Sequence, residues 1–436
     1  MSGVRVTRDN LVALPALAPY FVLGLVSFSA APWVLLAGAE SLDGGFYRDT
    51  KVLAAVHLYA LGWGSAVALG ALQQMTAVVF ATVLRSPRLA QAAFVLFAVG
   101  LAGLVTGFLT LAWPAVSRPA LAVAACGLPL GAGFAVANVA LTLHTGRPTA
   151  RGQLIRPFVR AAAGYLVVGY LVGAALALNL TTGWLGLAWR AALPLHLAAA
   201  VAGWFLMLVT GTSYHLLTFF GLVEKKQVFR WPHTVRRLLH AGIGLVILAA
   251  ALTGLGWEGW TRVLIPLAAL LLAAACGLFV WDGRDLYAPR GRERMNPTVG
   301  YVRAAHVYLV LGALLLIGLC VAGASGVRPP PAWLTALGFL AAAGWLSNTI
   351  LGYLHRILPF VVWHNRYWGR GREPGVPAFR VMVNLPVAWL AMGVYNAGVA
   401  GAAVALLTAL PVGGFLALLG VGAVLAAGNL LWTLLR

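Results

Sequence analysis

Gly62-Trp63, Gly203-Trp204 and Gly344-Trp345 are each followed by a second glycine, at Gly70, Gly211 and Gly352, and each copy of this G-W-x6-G pattern starts 141 residues after the last. Chance would place well under one copy in a chain with this Gly and Trp content, so three in even register imply an internal triplication, with copies near 1–145, 146–290 and 291–436. A second pattern agrees. V-R-A-A-x-x-Y-L-V-x-G runs from Val159 to Gly169 and from Val302 to Gly312, and its tail, Y-F-V-x-G, recurs from Tyr20 to Gly24. Any function of this chain is to be sought on a threefold scaffold.

Hydropathy says what each copy is made of. With 61% hydrophobic and 9% charged residues and a mean hydropathy of +0.90, the chain has far more apolar surface than a soluble core can hide. Apolar runs long enough to cross about 30 Å of hydrocarbon lie near residues 11–38, 52–83, 89–113, 119–143, 158–180, 189–220, 234–255, 261–281, 299–323, 332–363, 380–407 and 411–435. The expected fold is an all-α polytopic membrane protein, a single membrane domain of twelve transmembrane helices in three pseudo-threefold four-helix arcs.

All but six of the 30 Lys and Arg fall at the two termini and in the loops that follow even-numbered spans. That bias predicts cytoplasmic termini, in a bacterial-type inner membrane. The net charge of +20 is a topology signal rather than a nucleic-acid footprint, because the basic residues are scattered over separate short loops. Residues 1–10 are polar and precede no signal-like h-region, so no cleaved leader is expected. Cys126, Cys276 and Cys320 stand singly inside apolar spans and read as small hydrophobes.

Glycines eight apart share a helix face and admit a close neighbour, either another backbone or a flat cofactor. Polar residues flank the pattern at its two ends. His57 stands five residues before Gly62 and His196 seven before Gly203. Three residues after the second glycine come Gln73, Tyr214 and His355, and four after it Gln74, His215 and Arg356. Six of the nine histidines lie inside spans: His57 and His196 in an outer layer, and His215, His240, His306 and His355 in an inner one. An imidazole inside a bilayer is costly and marks a ligand site or a pathway. His196 and His215 are 19 residues, roughly 28 Å of helix, apart and cannot share a metal.

Arginines accompany the inner layer. Arg236 and Arg237 precede His240 by four and three residues, Arg303 precedes His306 by three, and Arg356 follows His355. Such spacings place Arg237 and Arg303 where haem propionates would be held; the competing reading is that they only mark the membrane border. All ten Asp and Glu fall in loops or at span ends, which leaves no buried acid expected for a proton relay or a hard cation. Histidine as the one strong ligand type suits haem iron, copper or zinc.

Twelve spans with histidines on helices 2, 6, 7 and 10 resemble subunit I of the haem-copper oxidase superfamily. Three local sequences look nearest to the NnrS-like haem-copper membrane proteins: HLYALGWGSAVALGALQQM (57–75), LHLAAAVAGWFLMLVTGTSYHLLTFF (195–220) and GYLHRILPFVVWHNRYW (352–368). The resemblance implies His57 at the position of the low-spin haem ligand, His196 at a metal-ligand position on helix 6, and His240 on the helix that supplies further ligands. Helix 10 has no H-x-H at its outer end and helix 7 no His-His pair, so the family's full set of two haems and a copper is not encoded. The function implied is that of an integral membrane protein binding haem b, with copper as a second candidate. It would handle nitric oxide or oxygen or transfer electrons, with a cytochrome or other donor subunit as partner. The other readings are a transporter whose histidines relay protons or metals, and a structural subunit that kept the scaffold without cofactors.

Overall fold

The computed structural model describes residues 6–146, 149–223, 229–287, 296–371, 373–378 and 381–436. Among the loop cations and carboxylates, Arg5, Arg147, Lys225, Lys226, Arg290, Arg292, Arg294, Arg372, Arg380, Glu224 and Glu293 lie outside the described residues. Twelve helices are long and apolar enough to span a membrane: α1 (Leu14–Leu36), α2 (Thr50–Val79), α3 (Pro87–Leu109), α4 (Pro114–Thr145), α5 (Gly152–Thr182), α6 (Gly186–Phe219), α7 (Pro232–Gly254), α8 (Glu258–Asp282), α9 (Pro297–Ala324), α10 (Pro331–Tyr367), α11 (Leu385–Thr408) and α12 (Gly413–Leu435). The chain is thus a multi-pass membrane protein. Exposed Trp113, Trp184, Trp257 and Trp260 gather at one end of the bundle and Trp281, Trp368 and Trp432 at the other, as interfacial tryptophans do.

Several helices start on proline, which fits the first turn because its missing N–H would find no partner there: α3, α4, α7, α9, α10 and α11 all do so within their first two residues. Ser86, Thr149, Asn296 and Asn384 cap their helices by accepting a backbone N–H one turn in. The N-terminal segment closes onto the ends of α2 and α10: Val12 N donates to Gln74 Oε1 (3.0 Å) and Leu14 N to Asn365 Oδ1 (3.1 Å). Arg366 bonds the last carbonyls of α12, so both termini share one end of the bundle, called here the basic end.

Helix α1 packs on α12, α4 on α5 and α8 on α9, which closes the groups α1–α4, α5–α8 and α9–α12 into a ring. Inside it stand α2, α6 and α10, the helices that carry G-W-x6-G. Each motif glycine is a seat for the first helix of its own group. A methyl on Gly70 would lie 2.8 Å from Tyr20 Cβ, one on Gly203 2.5 Å from Tyr165 Cβ, and one on Gly344 2.8 Å from Tyr308 Cγ. Gly211 meets Phe158, Gly352 meets Val302 and Tyr301, and Gly62 meets Ser27. The seats correct the alignment of the second pattern: Tyr20 occupies the second-glycine seat beside Phe158 and Tyr301, and the true counterpart of Tyr165 and Tyr308 is Ser27. The Y-F-V-x-G tail in α1 is therefore one heptad out of register.

All three central helices widen into a π-helical turn across the Gly-Trp pair, at Leu58–Ser65, Ala198–Leu206 and Leu340–Leu346. Such turns release carbonyls from the regular ladder, and in lipid these must find donors from side chains. In α10 they do: Tyr395 donates to Ala343 O (3.0 Å), Ser347 to Ala342 O (2.8 Å) and Asn348 to Gly344 O (2.7 Å). The three turns converge at the residues that follow the tryptophans. A methyl on Gly64 would lie 2.8 Å from Phe205 Cε1 and 3.1 Å from Leu346 Cδ2, and these three positions are again 141 residues apart.

Gly203→Ala is expected to destabilise the fold by about 1–3 kcal/mol, because the new methyl overpacks Tyr165. Gly164→Ala, with open space around it, leaves thermal stability unchanged. Equal melting temperatures for the two purified variants would contradict the glycine-seat account.

Candidate functional site

The in-membrane histidines sit on or beside the central helices, each in its own setting. His57 of α2 hydrogen-bonds Leu53 O through Nδ1 (2.7 Å) and packs on the Phe108 ring of α3 (4.9 Å between centroids). His196 of α6 hydrogen-bonds Gly169 O of α5 through Nδ1 (2.9 Å), and a methyl on Gly173 would come within 2.8 Å of its Cε1. The missing side chain of Gly173 is therefore the cradle of that ring. His57 thus packs towards α3 and His196 towards α5.

The four inner histidines are not gathered. His215 stacks on Phe219 (5.1 Å), whereas His240 shares a 2.9 Å hydrogen bond with the Tyr165 hydroxyl. His306 is buried between Phe279 and Tyr287, with Gly283 against its Cε1 and no hydrogen-bond partner for Nδ1. His355 stacks on Tyr301 (5.3 Å, 26°) and hydrogen-bonds Leu351 O through Nδ1 (2.6 Å). Only 5% of it is exposed, and its Nε2 is enclosed without a hydrogen-bond partner. A carbonyl accepts and never donates, so Nδ1 carries the proton in His57, His196 and His355. The lone pair of the neutral ring is then on Nε2, the tautomer metal ligation requires. Common depth did not translate into a common cluster: among the described residues no three His, Cys, Asp or Glu are placed to hold a metal ion together.

The arginines answer to the chain itself. Arg303 donates to Leu286 O from Nε (3.1 Å) and from Nη2, and lies over the Tyr287 ring, so it holds the turn between α8 and α9. Arg237 is exposed; Arg236, one residue earlier, is the one whose charge lies near His240. Spacings of three and four both fit one helix face, and the face that turns inward here takes the residue four before His240.

A polar grip that sequence reasoning missed recurs in every group. Asn138 of α4 accepts from Ser86 N (3.0 Å) and donates to Ser86 O (2.9 Å), and Asn429 of α12 does the same with Asn384 N (3.1 Å) and Asn384 O (3.0 Å). In the middle group Asp282 at the end of α8 accepts from Arg230 N and Trp231 N (2.9 Å each) and from the Tyr214 hydroxyl (3.3 Å). Each grip ties the fourth helix of a group to the start of its third. Asp282 is 1% exposed, which overturns the expectation of no buried carboxylate; the donors at the start of α7 replace its water.

Below the convergence of Gly64, Phe205 and Leu346, towards the basic end, α2, α6 and α10 line a cavity of about 120 Å³. Its wall keeps the 141-residue register: Ala71, Thr212 and Tyr353 form one ring, and Met75, Leu216 and Ile357 the next. His215 is the one imidazole on the wall.

No family model matches the chain, and no curated protein does. Solved structures do match, among them a haem-copper terminal oxidase dimer determined by cryo-EM, at a TM-score of 0.55 and 13% identity over 96% of this chain and 84% of that one. The chain has a haem-copper oxidase-like fold. At that identity the likeness concerns the path of the helices alone.

Asn138 and Asn429 each present one acceptor and one donor, whereas Asp282 accepts from two N–H groups with its two oxygens, so Asp282→Asn loses one acceptor and is expected to cost about 1–3 kcal/mol. Asp282→Ala leaves both part-buried N–H groups without this acceptor, at a cost of up to about 1–3 kcal/mol each. Hydrogen exchange at Arg230 and Trp231 reads the loss: faster exchange at both in the alanine variant than in the wild type supports the grip, and wild-type protection in the alanine variant removes it.

Proposed function

We propose that this membrane protein holds haem b through histidines of its central helices and uses it to handle nitric oxide or oxygen, or to pass electrons. The observation that carries the reading is His355, a buried imidazole whose Nδ1 is anchored on Leu351 O and whose Nε2 lacks a partner. Leaving a buried acceptor unsatisfied costs about 1–3 kcal/mol, so such an atom calls for a ligand. His57 and His196 add two imidazoles in the same tautomer, and the oxidase-like fold supports the reading from outside the site.

The donor set would suit haem iron, which His355, or His57 or His196, would hold through the imidazole nitrogen that is not bonded to a carbonyl. It does not suit a copper centre of three histidines, because no such trio exists among the described residues. A bound haem would supply a redox centre with affinity for diatomic ligands. The chain's own contribution is positioning. Leu53 O, Gly169 O and Leu351 O fix the proton on Nδ1 of their histidines, while Phe108, Gly173 and Tyr301 fix the ring planes. The apolar helices around the rings keep water out and let an uncharged diatomic in.

The same reading extends to placement and ancestry. The bias of Lys and Arg supports a cytoplasmic basic end in a bacterial-type inner membrane. The recurring seats, π turns and grips support descent from one four-helix unit, with copies near 1–145, 146–290 and 291–436. Kinship with the NnrS-like proteins rests on the three local sequences alone. A cytochrome or other donor subunit enters the redox reading as its electron source.

Protein purified under mild conditions should show a Soret band and a b-type pyridine haemochrome. His355→Ala, or His57→Ala with His196→Ala, should shift or abolish the band, and Gly173→Leu, which evicts the His196 ring, should weaken haem retention about 10- to 100-fold. A haem-free wild-type protein from haem-replete cells, or variants with unaltered spectra and haem content, would overturn the assignment.

A further inference from the structure

We infer that the cavity on the axis of α2, α6 and α10 is a binding site for a small nonpolar gas molecule. Three observations carry this. First, the volume of about 120 Å³ lies well below the roughly 300–1,000 Å³ of pockets for drug-sized ligands. It is close to that of the roughly 150 Å³ apolar cavity known to stay dry and to take benzene or xenon.

Second, the wall offers water very little. A buried water needs two to four polar partners, and the hydroxyls and the Gln74 amide of the wall already bond the protein. Gln74 Nε2 donates to Asn10 O (3.1 Å), Thr212 to Leu208 O (2.8 Å), Thr349 to Trp345 O (2.9 Å) and Tyr353 to Ser213 Oγ (2.8 Å). Gln74 Oε1 is taken by Val12 N (3.0 Å). The space that remains is bounded by methyl and aromatic groups and by the imidazole of His215, which stacks on Phe219.

Third, the void is a consequence of how the three helices meet. Gly64, Phe205 and Leu346 close it at mid-helix, and the small residues Ala68 and Ala71 of α2 face Val209, Thr212, Ile350 and Tyr353 across it. The first group contributes small side chains where the other two contribute large ones, and the rings below the closure are left underfilled. A gas molecule recovers the dispersion contacts that an empty void forfeits.

The site is separate from the proposed haem and needs no iron, so the two readings fail independently. The probe is xenon, and the test is a structure of the detergent-solubilised protein under xenon pressure. We expect xenon on the axis beside Ala71, in haem-loaded and haem-free protein alike, and its loss in Ala71→Phe, which fills the void. Ala68→Leu provides a second, milder filling should Ala71→Phe misfold. Xenon absent from the axis while other sites in the same map are filled would overturn the proposal. So would an ordered water, or a lipid or detergent chain, in that place, and so would undiminished xenon in both filled variants.

Discussion

The close meeting of three helices on one axis is the constraint on which the rest of the molecule depends. In lipid there is no water to drive helices together, so packing depends on how nearly backbones can approach. Six glycines supply that approach, each giving up its side chain where the neighbouring helix of its group presses in, against an aromatic ring in four of the six seats. On the axis itself three large side chains at equivalent positions could not all fit. The chain places a glycine, a phenylalanine and a leucine there, and Phe205 takes the room that Gly64 vacates. Sequence symmetry is thus broken where exact symmetry would clash.

The same breaking of symmetry distinguishes the groups at the candidate site. Three residues past the second glycine, Gln73 accepts from Asn138 (2.9 Å) and Tyr214 donates to Asp282 (3.3 Å), so both bind their helix to the fourth of its group. His355 in the third copy bonds its own helix and stacks on Tyr301, which leaves an imidazole edge enclosed. A position that is structural in two copies carries a ligand-type group in the third. Departures from a locally consistent pattern are where functional residues are expected.

The twelve spans were legible because a hydrocarbon core demands about 20 apolar residues per crossing and tolerates few charges. The seats were legible as well, since a fixed spacing of 141 residues survives in α2, α6 and α10. The unreadable parts lie where register slips. Ser27 replaces the aromatic that Tyr165 and Tyr308 provide, so by sequence α1 matches through Tyr20, one heptad away. Asn138, Asp282 and Asn429 are spaced by 144 and 147 residues because the loops between them differ in length, and a search at one period passes over them. Depth along a span fixed the layers of the histidines but not their bearing around the helix. His215, His240, His306 and His355 share a level and still face four different neighbours.

Cysteine cross-linking across the axis tests the convergence most directly. In a background without Cys126, Cys276 and Cys320, the pair Phe205→Cys and Leu346→Cys should be bridged rapidly and in high yield by a short bifunctional reagent, since both side chains pack against Gly64. A control pair that faces lipid on α9 and α3, Val307→Cys with Val95→Cys, should not react. Efficient bridging of the control, or none at the axis in protein that remains folded, would contradict the account.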